Sequence, residues 1–212
     1  MKIRERKSKI KQKVFVIVFF IVLILALINI YFANFEKEVQ KEEQNNAVTS
    51  LSGLANQGAE IVETKINLSM SFMRNLAEML KDTKDIQQEE NFEYLRKVLK
   101  DENLDILRFG IAMPDGDAIT TAGKILNVGE REYFRECMKG HEMITGSIKS
   151  KIIDEEIIFL AVPIYGEKGT VRGVLYGVIE CDSFQVYDNV EMGGVKSEMY
   201  IIDGEGNYVT NY

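Results

Sequence analysis

An uninterrupted apolar run near the amino terminus constrains the fold of this chain more than any other feature. The run extends from Val14 to Ala33, and Asn29 is the only strongly polar residue in it. A helix needs about 20 apolar residues to cross a hydrocarbon core of about 30 Å, because each residue advances the helix by about 1.5 Å. We therefore expect residues 14–33 to form a transmembrane helix that stands apart from any globular core.

The charges that flank this run predict its orientation. Residues 1–13 are strongly basic, with Glu5 as their only acidic residue, whereas the opposite flank has no comparable basic cluster. Because basic flanks stay on the cytoplasmic side, we predict a cytoplasmic head in a cell membrane (inner or plasma), with the chain extracytoplasmic after about residue 34. A cleaved signal peptide is the alternative, but it would have a shorter apolar core and small residues before the cut. Residues 30–33, IYFA, contain no pair of small residues of the kind that precedes a cleavage site.

The net charge limits the classes of partner that this chain can bind, and the cysteine content limits the disulfides that it can form. The formal net charge is −7 and becomes more negative once the basic head is set aside, which argues against a nucleic-acid partner. Cys137 and Cys181 fall in the part predicted to be exported, where a disulfide is permitted but not required. Their spacing leaves pairing open, and two small buried thiols are the default expectation.

A long proline-free segment with helical periodicity follows the membrane run. Residues 47–81 carry apolar side chains at steps of three and four, which predicts one helical face. Because residues 35–46 lack Gly and Pro, the helix can continue upward from the membrane as a stalk. Its Met and Leu stripe is expected either to cover a sheet edge or to form a coiled-coil homodimer, and both interpretations stay open. The stripe consists of Val48, Leu51, Leu54, Ala55, Val62, Ile66, Met70, Met73, Ala77 and Leu80.

Beyond the stalk the periodicity changes from helical to strand-like, with turn residues between the segments. This pattern predicts an antiparallel sheet with a few short helices. The predicted helices are 91–100, 130–139 and the connector 182–190, and the predicted strands are 105–113, 118–122, 143–150, 157–165, 171–181 and 198–203.

The order of four motifs resembles the double Cache family of sensor domains. They are the PDG turn at residues 114–116, REYFRECMKG at 131–140, AVPIYGEKG at 161–169 and GVLYGVIE at 173–180. In that family a long helix carries two stacked PAS-like lobes, and the membrane-distal lobe usually holds the ligand. The resemblance implies an α+β fold with a transmembrane helix, a long amino-terminal stalk helix, a PAS-like antiparallel sheet lobe and the start of a second PAS-like lobe.

The resemblance also implies a domain organisation. Residues 34–104 would form the stalk and connecting helices, 105–190 the membrane-distal Cache lobe and 191–212 the incomplete beginning of the membrane-proximal lobe. The sequence YIIDGEGNYV at 200–209 is similar to the opening hairpin of that second lobe. A lobe that stopped there would expose sheet edges, so we expect a longer receptor with an output such as a diguanylate cyclase, a histidine kinase or a chemoreceptor hairpin.

The family's ligand positions map onto the predicted helix 130–139. The resemblance implies that Arg131 and Tyr133 hold a small ligand, with Arg131 as a bidentate fork for a carboxylate and Phe134 as an aromatic wall. The alternative for Arg131 is a surface ion pair with Glu130 or Glu132, and for the two aromatic residues it is ordinary helix-on-sheet packing.

Three further candidates lie on the predicted strands, namely Ser147, Lys149 and Tyr176. Amino-acid-binding members of the family carry acidic residues there for the ligand's ammonium group, but GSIKS at 146–150 and GVLYGVIE show no evident counterpart. Because Lys149 would reverse the charge, a small carboxylate is a more plausible ligand than a zwitterion.

The sequence supports a catalytic function less well than a sensor function. Asp115 and Asp117 lie at a turn, where Asp is common for backbone reasons, and the single histidine, His141, follows the helix-ending Gly140. The sequence shows no metal cluster, nucleophile motif or phosphate-binding loop, so we expect neither catalysis nor a cofactor or metal. The predicted function is a sensor that binds a small solute and passes a conformational bias to a stalk homodimer. A ligand-free, membrane-tethered dimerisation or interaction module is the alternative.

Overall fold

The computed structural model describes residues 2–101, 105–149, 156–166 and 169–184, together with 190–192, 195–197, 200–202, Gly204 and Gly206. These residues fall into two compact units, 1–54 and 55–212.

The first unit consists of the first part of helix α1, which spans Lys2–Lys81. Large apolar side chains such as Phe20 and Leu27 are exposed along it. Of the described helices, this is the one long and apolar enough to cross a membrane, with a window of mean hydropathy 2.0 that is 0% buried. Such a surface is compatible with the predicted transmembrane anchor, because only lipid or another apolar partner would cover it favourably.

The second unit combines helices with one antiparallel sheet, as the α+β prediction requires. Helix α2 spans Glu89–Asp101 and helix α3 spans Glu132–Met138. The strands are β1 (Ile106–Ala112), β2 (Asp117–Thr120), β3 (Ile125–Asn127), β4 (Met143–Ile144), β5 (Ile148–Lys149), β6 (Glu156–Tyr165) and β7 (Val171–Glu180). Their order across the sheet is β3-β2-β1-β7-β6-β4, and β5 also pairs with β6.

One face of this sheet packs against helices, and we call it the helix face. Strand residues at every second position join the buried core there with Met70, Met73 and Leu80 of α1 and with Phe92 of α2. The strand residues of this core include Phe109, Ile111, Ile158, Leu160, Val162, Ile164, Leu175 and Ile179. The upper part of the Met and Leu stripe therefore covers the sheet.

The opposite face, which we call the cleft face, packs against α3. Tyr133, Phe134 and Cys137 of α3 are buried there against the alternate residues of the central strands, including Ala161, Val174, Tyr176 and Val178. Cys137 and Cys181 are both buried and free, and they belong to the cores of opposite faces. Two separate thiols agree with the default expectation.

The structure differs from the sequence prediction at the sheet's edges. The single strand predicted at 143–150 is interrupted, since β4 and β5 are separated by residues whose bonds to β6 are irregular. Thr145 donates its backbone N–H to Phe159 and accepts that residue's N–H on its side-chain oxygen. Strand β3 was not predicted, because three residues are too short to show alternation.

The segment that follows β7 departs from the predicted connector helix 182–190. A short 3-10 helix spans Cys181–Phe184, residues 185–189 lie outside the described residues, and Val190–Met192 pairs with Val195–Ser197 as the hairpin β8–β9. Half of the predicted strand 198–203 and half of the hairpin 200–209 also lie outside the described residues.

Candidate ligand-binding site

A cleft of about 320 Å³ opens on the cleft face, between the sheet, the residues before α3 and the turn that joins β2 to β3. Ligand pockets in proteins typically begin at about 300 Å³, so its size suits a small solute. The cleft is lined by Arg108, Thr120, Lys124, Ile125, Leu126, Asn127, Arg131, Tyr133, Ile148, Lys149, Ile157, Phe159, Tyr176 and Val178.

Three aromatic rings form one wall of the cleft. The ring of Tyr133 stacks on that of Phe159, with centroids 4.7 Å apart and planes 14° apart. The ring of Tyr176 lies 5.6 Å from Tyr133 and 5.9 Å from Phe159. Because each ring restrains its neighbours, the wall is a rigid apolar surface against which a ligand can be held.

Tyr176 reaches its place because the residue opposite it has no side chain. Gly110 of β1 is its partner in the β1–β7 ladder, and a Cβ on Gly110 would lie 2.1 Å from the Tyr176 ring carbon Cζ. The ring therefore lies flat across β1, over the backbone of Gly110.

The Tyr176 hydroxyl is buried and has no hydrogen-bond partner among the residues that the structure describes. Burial raises the pKa of Tyr176 to about 12, against a smaller opposing effect of the Arg108 charge. The hydroxyl therefore keeps its proton at neutral pH and can donate a hydrogen bond. An orphaned donor beside a cleft is costly unless a ligand pairs with it.

The charged residues that line the cleft are all basic in the described part of the chain. Arg108 projects from β1, Lys124 lies in the turn between β2 and β3, and Lys149 lies in β5. Arg131 is the N-cap residue of α3, with an extended backbone (φ −74°, ψ 137°) and no side-chain cap bond. Grouped cations with apolar walls between them favour an anion.

The structure brings four of the predicted site residues to the cleft, namely Arg131, Tyr133, Lys149 and Tyr176. Phe134 is buried against the sheet and does not line the cleft. Its side chain therefore packs as ordinary core.

Ser147 faces a different and more open depression, which it lines together with Arg131 and Ile148. Its hydroxyl donates to a carboxylate oxygen of Glu156. Arg131 precedes α3 instead of lying on it, and within the described residues it forms no ion pair with Glu130 or Glu132.

Sequence reasoning missed Arg108 and Lys124. Arg108 belongs to a strand that is otherwise apolar, and it shares its face with Gly110 and Ala112. A lone cation at the alternate positions of a buried strand was the available signal. Lys124 lies beside an unpredicted strand, so nothing in the pattern placed it.

The carboxylates that invited a catalytic interpretation hold the turn in place, and Oδ1 of Asp117 accepts a hydrogen bond from the side-chain amide of Asn127 at 2.8 Å. Oδ1 of Asp115 accepts the backbone N–H of Asp117 at 3.0 Å, and Gly116 between them has a φ of +90°. His141 is exposed, 3.3 Å from Glu136. Over the described ranges, no group of three or more His, Cys, Asp or Glu side chains could hold a metal ion.

Comparison with solved structures shows the same fold in two bacterial receptor domains. The ligand-binding domain of the Pseudomonas aeruginosa amino acid chemoreceptor PctC, solved with GABA, matches with a TM-score of 0.53 and 12% identity over 64% of this chain and 65% of its own. The corresponding domain of PctB, from the same organism and solved with L-Arg, matches with a TM-score of 0.53 and 17% identity over 71% of this chain and 64% of its own. The chain thus spans slightly less than two thirds of either domain.

Comparison with curated protein sequences gave no match. The sequence profile of the Cache domain matches residues 35–212, which include the sheet, α2, α3 and the cleft. The chain therefore belongs to the Cache domain family.

Proposed function

We propose that this chain is the extracytoplasmic sensor segment of a membrane signal-transduction receptor, and that its cleft binds a small carboxylate. One observation carries the proposal. The described cleft is lined by basic side chains and by Tyr176, whose buried hydroxyl has no described partner, and no carboxylate is among its described lining residues. An anion that accepts hydrogen bonds would satisfy both features.

An amino acid fits this cleft less well. GABA and L-Arg, the ligands of the two similar domains, carry an ammonium or guanidinium group beside the carboxylate. In the described part of this cleft such a group would meet the charges of Arg108, Lys124 and Arg131, and no Asp or Glu is among the described lining residues. Like charges at close range disfavour binding, so we infer an acid without a cationic group.

The route from the cleft to the helices runs through β7. Tyr176 faces the cleft, whereas its neighbours Leu175 and Ile179 pack in the helix-face core. A ligand that favours one position of this strand shifts the packing of the helix face by the same preference. We infer that the stalk helix, as a homodimer, passes this bias to an output domain such as a diguanylate cyclase, a histidine kinase or a chemoreceptor hairpin, and that the sensor segment itself is not catalytic.

A thermal-shift screen of the whole chain in detergent micelles tests the proposal. The panel contains monocarboxylates, dicarboxylates, amino acids, amines and purines. A carboxylate at 100 times its Kd should stabilise the folded state by about 2.7 kcal/mol. The Arg131→Gln variant should lose the shift, whereas Lys97→Gln, an equal charge change on an exposed site of α2, should keep it.

Stabilisation by amines and not by acids would contradict the proposed ligand class. The absence of any shift would favour the alternative function, a ligand-free dimerisation or interaction module.

A further inference from the structure

Side chains of β6 and β7 form the floor of the cleft, and they are apolar apart from one hydroxyl. We call this surface the apolar floor, and it consists of Ile157, Phe159, Tyr176 and Val178. Both strands have a neighbouring strand on each side, so their backbone N–H and C=O groups are used within the sheet. The Tyr176 hydroxyl lies at the border of the floor, over Gly110 of β1. The floor therefore offers a ligand apolar contact and few polar partners.

Two half-buried apolar side chains extend the floor at its sides. Ile148 of β5 pairs with Ile157, and Leu126 of β3 packs against the same core as Phe159. Ile148, Leu126 and Phe159 line the cleft and are only partly buried, so apolar surface still faces the open space. Covering that surface is favourable in proportion to the apolar area that is removed from water.

The cations that line the cleft lie around the floor and not on it. Arg108 is on β1, Lys124 is exposed in the turn between β2 and β3, and Arg131 precedes α3. Lys149 of β5 lies directly opposite Glu156 in the β5–β6 ladder, and opposite charges at such positions attract each other. A ligand carboxylate would therefore find its counter-charge at the border of the floor.

The volume of the cleft leaves room for a tail that covers the floor. The cleft of about 320 Å³ has space for about ten water molecules at about 30 Å³ each. A carboxylate group alone displaces few of them, and the others would remain over the apolar floor. An apolar tail releases this water favourably, whereas a second charged group would lose its own hydration there without gaining a partner.

We propose that the cleft binds a monocarboxylate with an apolar tail, which is a chain of about six carbons or a phenyl ring on a short chain. Arg131 holds the carboxylate, and the tail lies on the apolar floor. This inference rests on the proposed function, because it assumes that the cleft is the ligand site and that Arg131 binds a carboxylate.

Isothermal titration of the whole chain in detergent micelles with acetate, butyrate, hexanoate, phenylpropanoate and succinate tests it. Hexanoate should bind about tenfold more tightly than butyrate, because each buried methylene strengthens binding by about three- to fourfold. Phenylpropanoate should show a similar gain over butyrate, and its order relative to hexanoate distinguishes a ring from a chain. Succinate, which is as long as butyrate, should bind no more tightly than butyrate, because its second carboxylate would lose its hydration on the floor.

The Arg131→Gln chain in the same micelles is the control for the acids themselves. The longer acids also enter the detergent, and this variant measures that uptake. It should show no binding beyond the uptake for any acid, because the carboxylate has lost its charged partner.

A matched pair of variants tests the tail. Ile148→Thr and Ile144→Thr make the same change on two short strands that both pair with β6. Ile148 lines the cleft, whereas Ile144 is not among its described lining residues. Ile148→Thr should weaken hexanoate and phenylpropanoate binding by at least about threefold and leave acetate binding within about twofold, which shows that the site is still formed. Ile144→Thr should leave every affinity within about twofold.

The outcomes separate this inference from the proposed function. Equal affinity for butyrate and hexanoate, or succinate binding as tight as hexanoate, would overturn the apolar tail and leave the carboxylate sensor intact. Failure of every acid to bind, or binding of equal strength in Arg131→Gln, would overturn both.

Discussion

At the scale of single residues, Gly110 and Tyr176 show how the absence of a side chain builds one wall of the cleft. The two residues face each other across the β1–β7 ladder, and the ring occupies the space that any Cβ on Gly110 would need. The ring is 2% exposed although it lies on the face that holds the cleft. The position of the hydroxyl thus depends on a glycine in another strand.

Gly110→Ala should therefore destabilise the fold and weaken ligand binding together. The new Cβ would lie 2.1 Å from Cζ of Tyr176, so the ring must move, and such overpacking costs about 1 to 3 kcal/mol. Thermal unfolding and isothermal titration of the variant measure both effects. Gly53→Ala is the matched control, since nothing lies within 4 Å of its Cβ and alanine is better than glycine by roughly 0.5 to 1 kcal/mol inside a helix. Similar stability of the two variants would contradict the packing argument.

Arg108 and Arg131 show where sequence reasoning about the site succeeded and where it stopped. Arg131 was identified by its motif and does line the cleft, although it caps α3 and is not part of it. Arg108 was missed although it alternates with Phe109 and Ile111, because the register shift between Ile106 and Arg108 interrupts the alternation at the start of β1 and weakens this signal. Such a shift depends on pairing with β7, which no local pattern encodes.

At the scale of elements, one side chain of β7 adds hydrogen bonds at the end of α1 to the packing of the two elements in the helix-face core. The guanidinium of Arg172 donates hydrogen bonds to the backbone carbonyls of Lys81, Thr83 and Lys84, at 3.1, 2.8 and 3.1 Å. Carbonyls at the end of a helix lack partners within the helix, so Arg172 satisfies groups that would otherwise depend on water.

Arg172→Ala should loosen the end of α1, and Arg172→Lys should not rescue it. The loss of three bonds leaves the carbonyls unpaired, at a cost of about 1 to 3 kcal/mol, and a lysine ammonium lacks the planar fork that spans several carbonyls. Hydrogen–deuterium exchange in residues 76–86 should rise in both variants. Lys97→Ala, at an exposed site on α2, serves as the control. Unchanged exchange in Arg172→Ala would show that the contact is incidental.

Helices α2 and α3 and the long central strands were predictable because their periodicity extends over enough residues to define a face. The predicted helix 91–100 is observed as Glu89–Asp101, and the predicted strand 157–165 as Glu156–Tyr165. The edge was not predictable from pattern, since β3, β4 and β5 contain two or three residues each and owe their strand geometry to their neighbours.

At the scale of the whole molecule, the predicted membrane orientation assigns the two flanks of the apolar run to opposite compartments. Ser8→Cys lies in the basic head and Ser52→Cys lies at an exposed site of α1. In intact cells, a membrane-impermeant maleimide should label Ser52→Cys and not Ser8→Cys. The native Cys137 and Cys181 are buried, so their background should be low. The reverse pattern would overturn the orientation, and release of the Ser52→Cys chain from the membrane would indicate a cleaved signal peptide.

The buried tyrosine hydroxyls and cysteine thiols of the two cores predict that the folded state loses stability at alkaline pH. Burial raises the pKa of Tyr176 from 10.0 to about 12, of Cys137 from 9.0 to about 12 and of Cys181 from 9.0 to about 11, and it raises that of Tyr133. The folded state therefore favours the neutral forms. Their contribution to the free energy of unfolding is complete below pH 9 and falls as the pH rises from about 9 to 12. It falls because these groups lose their protons in the unfolded chain at a lower pH than in the folded state.

Apparent Tm measured from pH 7.5 to 11 should be steady at first and then fall. Each group that is ionised only in the unfolded state contributes up to about 1.4 kcal/mol per pH unit. Tyr176→Phe removes one such group and should make the decline above pH 10 shallower. If Tm falls as steeply above pH 10 in Tyr176→Phe as in the unchanged chain, groups other than Tyr176 cause the loss of stability.

The alternation of the central strands has a consequence for how receptors of this kind can diversify. On β7 the even-numbered residues Val174, Tyr176 and Val178 face the cleft side, whereas Leu175 and Ile179 face the helices. Substitutions at the even positions thus change side chains on the cleft side and leave the side chains that meet α1 and α2 as they are. Under the proposed function, substitutions at the even-numbered positions would change the ligand that the cleft accepts, and substitutions at Leu175 or Ile179 would change how strongly the strand is coupled to the helices.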